Sequence, residues 1–375
     1  MSTRRHFLRH TSALATFVCG WPLSACSPKV PSMTEQEAKY IGQLMERAQT
    51  RSVGRYLIDL PDVFVVSTEA QSVIDQVDAQ IRPMDRLVFD SVIQRREAEL
   101  RKKHMDGEPE NPFLKRIESL PGADTSVRVF NRAEDSGSAD FARTLELWAW
   151  KNGYLIQLSV KANESEGTAY VSEPWIKDFP TDTPQKLDHL LRVFSRVRGR
   201  KDNEIPMEQG DCIANGFVAG PSNDQQAFNV SYQLQGSPDL YFDFNHRTTV
   251  RERDTLLERT AQVEREMQSS GTQTVRKGKR DINGLPYEEW LMRGPTPHGV
   301  PGTMFILHGN ETASDPAKPF VELKLFNGFR VPAPERTLEE SVMLKSLEKA
   351  SLTEALALGL WDRVTATLRV RPGVF

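Results

Sequence analysis

Cysteine is scarce in this chain, with three among 375 residues, at positions 19, 26 and 212. So few, with no C-x-x-C pair, exclude both a disulfide framework and a zinc ribbon. Histidine is nearly as rare, at seven, and no H-E-x-x-H occurs. A G-x-S-x-G elbow and a phosphate-cradling glycine loop are also missing, which removes the common signatures of hydrolases and nucleotide-binding enzymes. No apolar run reaches the roughly 20 residues that a helix needs to cross a bilayer. Charge of one sign is lacking too: 48 basic residues against 51 acidic ones leave a net charge of -3. Lys and Arg are scattered, so the electrostatic footprint of a nucleic-acid binder is absent. No cofactor, metal, nucleic acid or small-molecule substrate is expected.

The N-terminus is the most specific feature present. Arg4, Arg5 and Arg9 form a positive cluster, and TSALATFVCGWPLSA (11–25) is a short apolar stretch broken by Thr, Ser, Gly and Pro. Its length is that of a signal-peptide core. TRRHFLR resembles the twin-arginine export motif, with Phe7 and Leu8 as the apolar pair. LSAC resembles a bacterial lipobox: Leu23, small Ser24 and Ala25, then Cys26, whose thiolate would take the lipid. The resemblance implies cleavage before Cys26, lipidation of Cys26, and, with Ser27 rather than Asp following, an outer-membrane destination facing the periplasm. Losing residues 1–25, which hold three arginines and no acid, takes the net charge to -6. Cys212 would then be the one free thiol, and its setting in GDCIANGF fits a small core residue.

Residues 26–36 read as a polar tether. Beyond it a plan of strands, helix, strands, helix occurs twice, at 37–200 and 207–375, around the linker RGRKDNEIP (198–206). In the first half YLIDL, VFVVS and VDAQIR precede a helix over 86–103. The strands TLELWAW and YLIQLSV are joined by a Lys-Asn-Gly hairpin turn. A helix capped by Thr183, with Pro184 in its first turn and a Leu187, Leu190, Leu191, Phe194 and Val197 stripe, ends the half. The second half has FNVSYQL and LYFDF, a helix over 252–268, four more strands, and capping boxes at Thr337–Glu340 and Ser351–Glu354. The predicted class is α+β: two domains of related topology, each an antiparallel sheet with helices on one face.

Candidate chemistry is thin. PTPHGVPGTMFILHGNE places His298, His308 and Glu311 within one stretch, but their separation fixes no ligand geometry. Glu288 and Glu289 are adjacent in a strand and so point to opposite faces, the wrong arrangement for a carboxylate pair. His189, beside Asp188, lies on the polar side of its helix. Trp148, Trp150 and Trp290 sit on strands, where core packing outweighs an interface role. No catalytic residue is assigned.

VGRYLIDLPDVFVV (from 53) and CIANGFVAGPSND (from 212), each opening one half, resemble the two domains of immunity proteins for type VI secretion lipase effectors. The likeness is to the immunity partner of the fourth family of those lipases and runs from about 36 to 370. It implies a non-enzyme that binds and inhibits a phospholipase toxin in the periplasm, held to the membrane through Cys26. The exposed loops 104–124, 132–140 and 294–302 are the expected contact regions. The alternative reading is an envelope lipoprotein with a structural or assembly role.

Overall fold

A computed structural model describes residues 31–374, apart from 68–69, 119–126, 167, 169, 223–224, 238 and 331–346. Arg4, Arg5, Leu23, Ser24, Ala25, Cys26 and the Thr337–Glu340 box lie outside the described residues. No described helix is long and apolar enough to cross a membrane.

After an opening helix, Glu35–Glu46, the two halves repeat one series of elements. The first half has the hairpins Ala48–Val53/Tyr56–Pro61 and Gln71–Ile74/Val77–Pro83, then helix Arg86–Lys102. Strands Leu114–Ile117, Val127–Ala133, Ala142–Lys151 and Tyr154–Asn163 follow, then helix Thr183–Arg196 and strand Val197–Gly199. The second half has hairpins Gly210–Ile213/Gly216–Ala219 and Gln226–Leu234/Leu240–Arg247, then helix Thr260–Ser270. Strands Gln273–Ile282, Leu285–Pro295, Pro301–Gly309 and Phe320–Asn327 follow, then helix Glu354–Thr365 and strand Arg369–Val370. In both halves six strands take the same neighbour order, with the four later strands outside and the second hairpin at the inner edge.

The inner edges pair with each other. Gln71–Ile74 runs antiparallel to Gln226–Leu234, with Ile74 opposite Gln226 and Gln71 opposite Asn229. The two sheets are therefore one continuous sheet, and each hides the other's exposed edge. Alternation along the strands sends Leu145, Leu147, Ile156 and Leu158 to one face, where they meet Leu190 and Val193 of helix Thr183–Arg196. Phe130, Trp148 and Leu155 point the other way and meet Phe89 and Leu100 of helix Arg86–Lys102. The second half repeats this, with Trp361 under one face and Met267 over the other. The α+β class and antiparallel sheets are as expected, but helices cover both faces rather than one. Each half has apolar residues on both sides of its sheet, and each side needs a cover.

The opening hairpins are exchanged. Val53, Tyr56, Ile58 and Leu60, early in the chain, are buried with Phe242, Leu323 and Trp361 of the second half. Ile213 and Val218, which open the second half, are buried with Ile81, Leu158 and Leu190 of the first. Tyr56–Pro61 pairs with Arg369–Val370, and Gly216–Ala219 pairs with Val197–Gly199. The hairpins touch where Gly54 N donates to Cys212 O (2.6 Å) and Cys212 N to Gly54 O (2.9 Å). The division at 200–207 thus separates the chain but not the cores.

Local departures have local causes. The helix expected over 252–268 begins at Thr260, because the amides of Leu256 and Leu257 are taken by the carboxylates of Glu311 and Glu288, each at 2.8 Å. The last helix is capped by Thr353, not Ser351, whose hydroxyl is held by Asp239 at 2.6 Å. Asp182, not Thr183, occupies the cap position of helix Thr183–Arg196. The Lys-Asn-Gly turn is as predicted, with positive φ at Asn152 and Gly153.

Candidate interaction surfaces

The residues that most resemble a catalytic group hold the second half together. His308 is buried, with Nε2 2.8 Å from Glu322 Oε2 and Nδ1 3.2 Å from Glu311 Oε1. Burial opposes its charge, but the two carboxylates prevail and raise its pKa. Glu322 is held down to about 2 against its own burial, chiefly by the His308 bond. The separation that left His308 and Glu311 undetermined in sequence is closed by the turn after strand Pro301–Gly309, and Glu322 comes from the neighbouring strand. Every group here has structural work. Glu311 also binds Arg259 and the amide of Leu256, and Glu322 accepts from Asn245 and Lys324. His298 is not part of the cluster; it lies in the 296–299 turn. Among the described residues no group of three or more His, Cys, Asp or Glu has the arrangement to hold a metal ion.

The other singled-out residues are structural. Glu288 and Glu289 do point to opposite faces: Glu288 binds the Leu257 amide, while buried Glu289 accepts from Arg276, Arg280 and Trp361 Nε1. Burial would raise the Glu289 pKa, and these donors bring it below the ordinary carboxylate value. Trp148 and Trp290 are buried and Trp150 half-buried, with each indole N–H bonded, to Glu146, Thr274 and the Met84 carbonyl. His189 is half-buried and tied to the carbonyl of Asp75 at 2.6 Å rather than free in solvent. Cys212 is buried, and burial pushes its thiol pKa up, as suits an inert core residue.

A charged seam fastens the exchanged hairpins. Arg51 pairs with Asp202 of the linker at 2.8 Å, and Arg55 pairs with Asp211 at 3.4 Å, joining the halves. Arg200 and Arg371 follow the last short strand of their halves at matching positions. Both are buried and spread their guanidinium groups over backbone carbonyls: Arg200 over Gly216, Ser52 and Glu204, Arg371 over Pro206, Glu208 and Gly210. Fixed charges satisfied in this way fit a permanent joint better than a sliding one.

Among the described residues, exposed aromatic rings cluster at one loop. Between strand Tyr154–Asn163 and helix Thr183–Arg196, the described residues of the connection form a loop whose ends meet. Asp182 accepts from the Asn163 amide at 2.6 Å, and Thr181 accepts from the Ser165 amide at 3.1 Å. Inside it Phe141, Tyr170, Trp175 and Phe179 pack ring against ring at centroid distances of 5.1–6.2 Å. Phe141 and Ile176 are buried beneath, yet Trp175, Phe179 and Val171 remain 42%, 41% and 58% exposed. Sequence reasoning passed over this loop because it has no periodicity; a Trp after Pro in an acidic stretch was the available signal. Of the loops expected to make contacts, 132–140 leads directly into Phe141. The described part of 104–124 forms a hairpin and a sheet strand, and 294–302 is a tight turn between two strands.

The described residues thus present an uninterrupted sheet with an exposed aromatic loop at the end of one of its strands. Two family models match the chain: the Tle cognate immunity protein 4 N-terminal domain over residues 49–200 and the C-terminal domain of the same family over 204–373. The chain belongs to this family of immunity proteins. Its fold is similar to a structure described as the Tle4-Tli4 complex (TM-score 0.63, 21% identity, 88% of this chain and 99% of that one). It is likewise similar to the apo immunity protein TplEi of the type VI secretion system from Pseudomonas aeruginosa (TM-score 0.61, 21% identity, 87% and 97% covered). No curated protein sequence matches.

Proposed function

We propose that this chain binds a phospholipase toxin of type VI secretion in the periplasm and blocks it, protecting the producing cell and its kin. The carrying observation is membership of the immunity family over both halves; that a neighbour in the same fold is described in complex as Tle4-Tli4 supports the class of partner. Inhibition of this kind requires no chemistry from the inhibitor, only coverage of the enzyme's substrate entrance. A stable complex buries at least about 1,200 Å². Cys26, in the lipobox Leu23-Ser24-Ala25-Cys26 behind Arg4 and Arg5, holds the inhibitor by lipid at the membrane its toxin attacks, facing the periplasm from the outer membrane.

The full chain, expressed with its own N-terminus and solubilised in detergent, is titrated against its cognate phospholipase toxin, sought first beside its gene. Hydrolysis of phospholipid falls to zero near one equivalent. Full activity at excess inhibitor, with no co-elution, overturns the reading. Cys26→Ala separately moves the protein from the membrane to the soluble fraction; unchanged membrane retention overturns the anchor alone.

A further inference from the structure

We infer that the aromatic loop segment 170–182 is the plug that enters the apolar mouth of the toxin, with the acidic residues around it contacting a cationic rim. This rests on the immunity reading and names the surface and the chemistry that carry it. The ends of the loop are tied together and its rings pack on Phe141, so Trp175 and Phe179 are presented with little conformational freedom left to lose on binding. The short helix Pro174–Asp178 points Ile176 inward and leaves Trp175 outward. Buried aromatic anchors are the residues that dominate interface energies.

Charge selects the occupant. Glu166, Glu173 and Asp178 are exposed on the loop, none with an ion-pair partner among the described residues, against the single cation Lys177. Such a rim is repelled by an anionic lipid surface, so the exposed rings are not a membrane foot. An enzyme that takes phospholipid must offer an apolar channel for acyl chains and cationic groups for the phosphate. Rings surrounded by carboxylates reproduce that pattern of apolar centre and anionic edge.

The test uses the full chain and the same phospholipase toxin. Trp175→Ala/Phe179→Ala is expected to raise Kd by about 100-fold or more. Because both rings also pack on Phe141, the unfolding midpoint is measured alongside, and the charge-reversal pair Glu173/Asp178, which removes no packing, tests the surface independently. Glu173→Lys/Asp178→Lys is expected to slow association and flatten its salt dependence. A soluble short-chain phospholipid is expected to compete with the wild-type inhibitor. The exposed pair Leu87 and Val88 lies at the opposite end of the sheet strands, and Leu87→Asp/Val88→Asp should leave Kd unchanged. Wild-type inhibition that survives both loop variants, or is lost only in the Leu87/Val88 variant, overturns the plug and leaves the immunity reading standing. Tight binding with no competition from the short-chain lipid overturns insertion into the mouth. Wild-type protein that fails to inhibit overturns both. Binding of wild-type chain to phosphatidylglycerol vesicles, abolished by Trp175→Ala, would make the loop a membrane contact instead.

Discussion

Acid should weaken this protein through His246. The ring has no exposed surface, stacks on Phe228 at 5.2 Å and meets Tyr56 edge-on at 6.3 Å. Neither ring nitrogen has a hydrogen-bond partner among the described residues. Burial disfavours the charged form and lowers its pKa from 6.5 to about 4. The unfolded chain accepts a proton near 6.5, while the native state refuses it until about pH 4, so between those values the unfolded state binds more protons. Stability from this group is therefore complete above about pH 6.5 and is lost as pH falls towards 4. At 1.36 kcal/mol per pKa unit the loss approaches about 3 kcal/mol. The assay is urea unfolding of wild type and His246→Phe at several pH values from 7.5 to 4. Other groups titrate in both proteins, so the difference between them isolates His246. That difference should shift by about 3 kcal/mol in favour of the variant over this range, whatever the fixed offset from altered packing. A difference that stays constant with pH would refute the argument.

Two further substitutions probe the joint and the second core. Gly54 has φ +53° where the hairpins touch, and a Cβ there would lie 2.4 Å from His246 Cδ2. Gly54→Ala should cost about 2–5 kcal/mol in thermal unfolding, from the left-handed backbone and the overpacking together. In the His246→Ala background the overpacking part should vanish, and strict additivity would show that the clash is not the cause. Glu289→Ala leaves the buried Trp361 indole N–H unpaired and takes from Arg276 and Arg280 one of their two carboxylates, Asp362 being kept, and should cost about 2–3 kcal/mol. Glu288→Ala, on the other face, loses one amide bond and should cost about 1 kcal/mol in the same urea titration; the reverse order would contradict the assigned faces.

Much of the fold was legible because alternation is a local property. Phe228, Val230 and Tyr232 repeat every second residue and do form a strand with those side chains buried. Lys-Asn-Gly likewise fixes its turn wherever it occurs. Helix Thr183–Arg196 was readable from a stripe whose spacing needs no partner. What failed needed a distant group. The start of helix Thr260–Ser270 is decided by carboxylates about thirty to fifty-five residues away, which occupy amides that would otherwise begin it. The exchange of hairpins is invisible because Val53–Leu60 has the same apolar pattern whichever core receives it. The His308 cluster could not be read for the same reason, since Glu322 joins it only through strand pairing. The family likeness, carried by the openings of the two halves, holds over both matched domains.

The exchange also changes how inhibition has to work. Two domains on the linker 198–206 could close on an enzyme from both sides, and relative motion is the usual expectation for such pairs. Here a ladder of backbone bonds runs from Ile74/Gln226 to Gln71/Asn229. Each core contains a hairpin from the other half, Arg55–Asp211 crosses between them, and Arg51 is tied to Asp202 of the linker. Separating the halves would pull Val53, Tyr56 and Ile58 out of one core and Ile213 and Val218 out of the other. That exposes apolar surface at about 25 cal/mol per Å² and leaves paired charges alone, which amounts to unfolding rather than hinge motion. A rigid body gains nothing from closing around its target; its affinity comes from surfaces already shaped before contact. The rings of Trp175 and Phe179 are already packed on Phe141 in the folded chain, so the loop can present them without a further rearrangement.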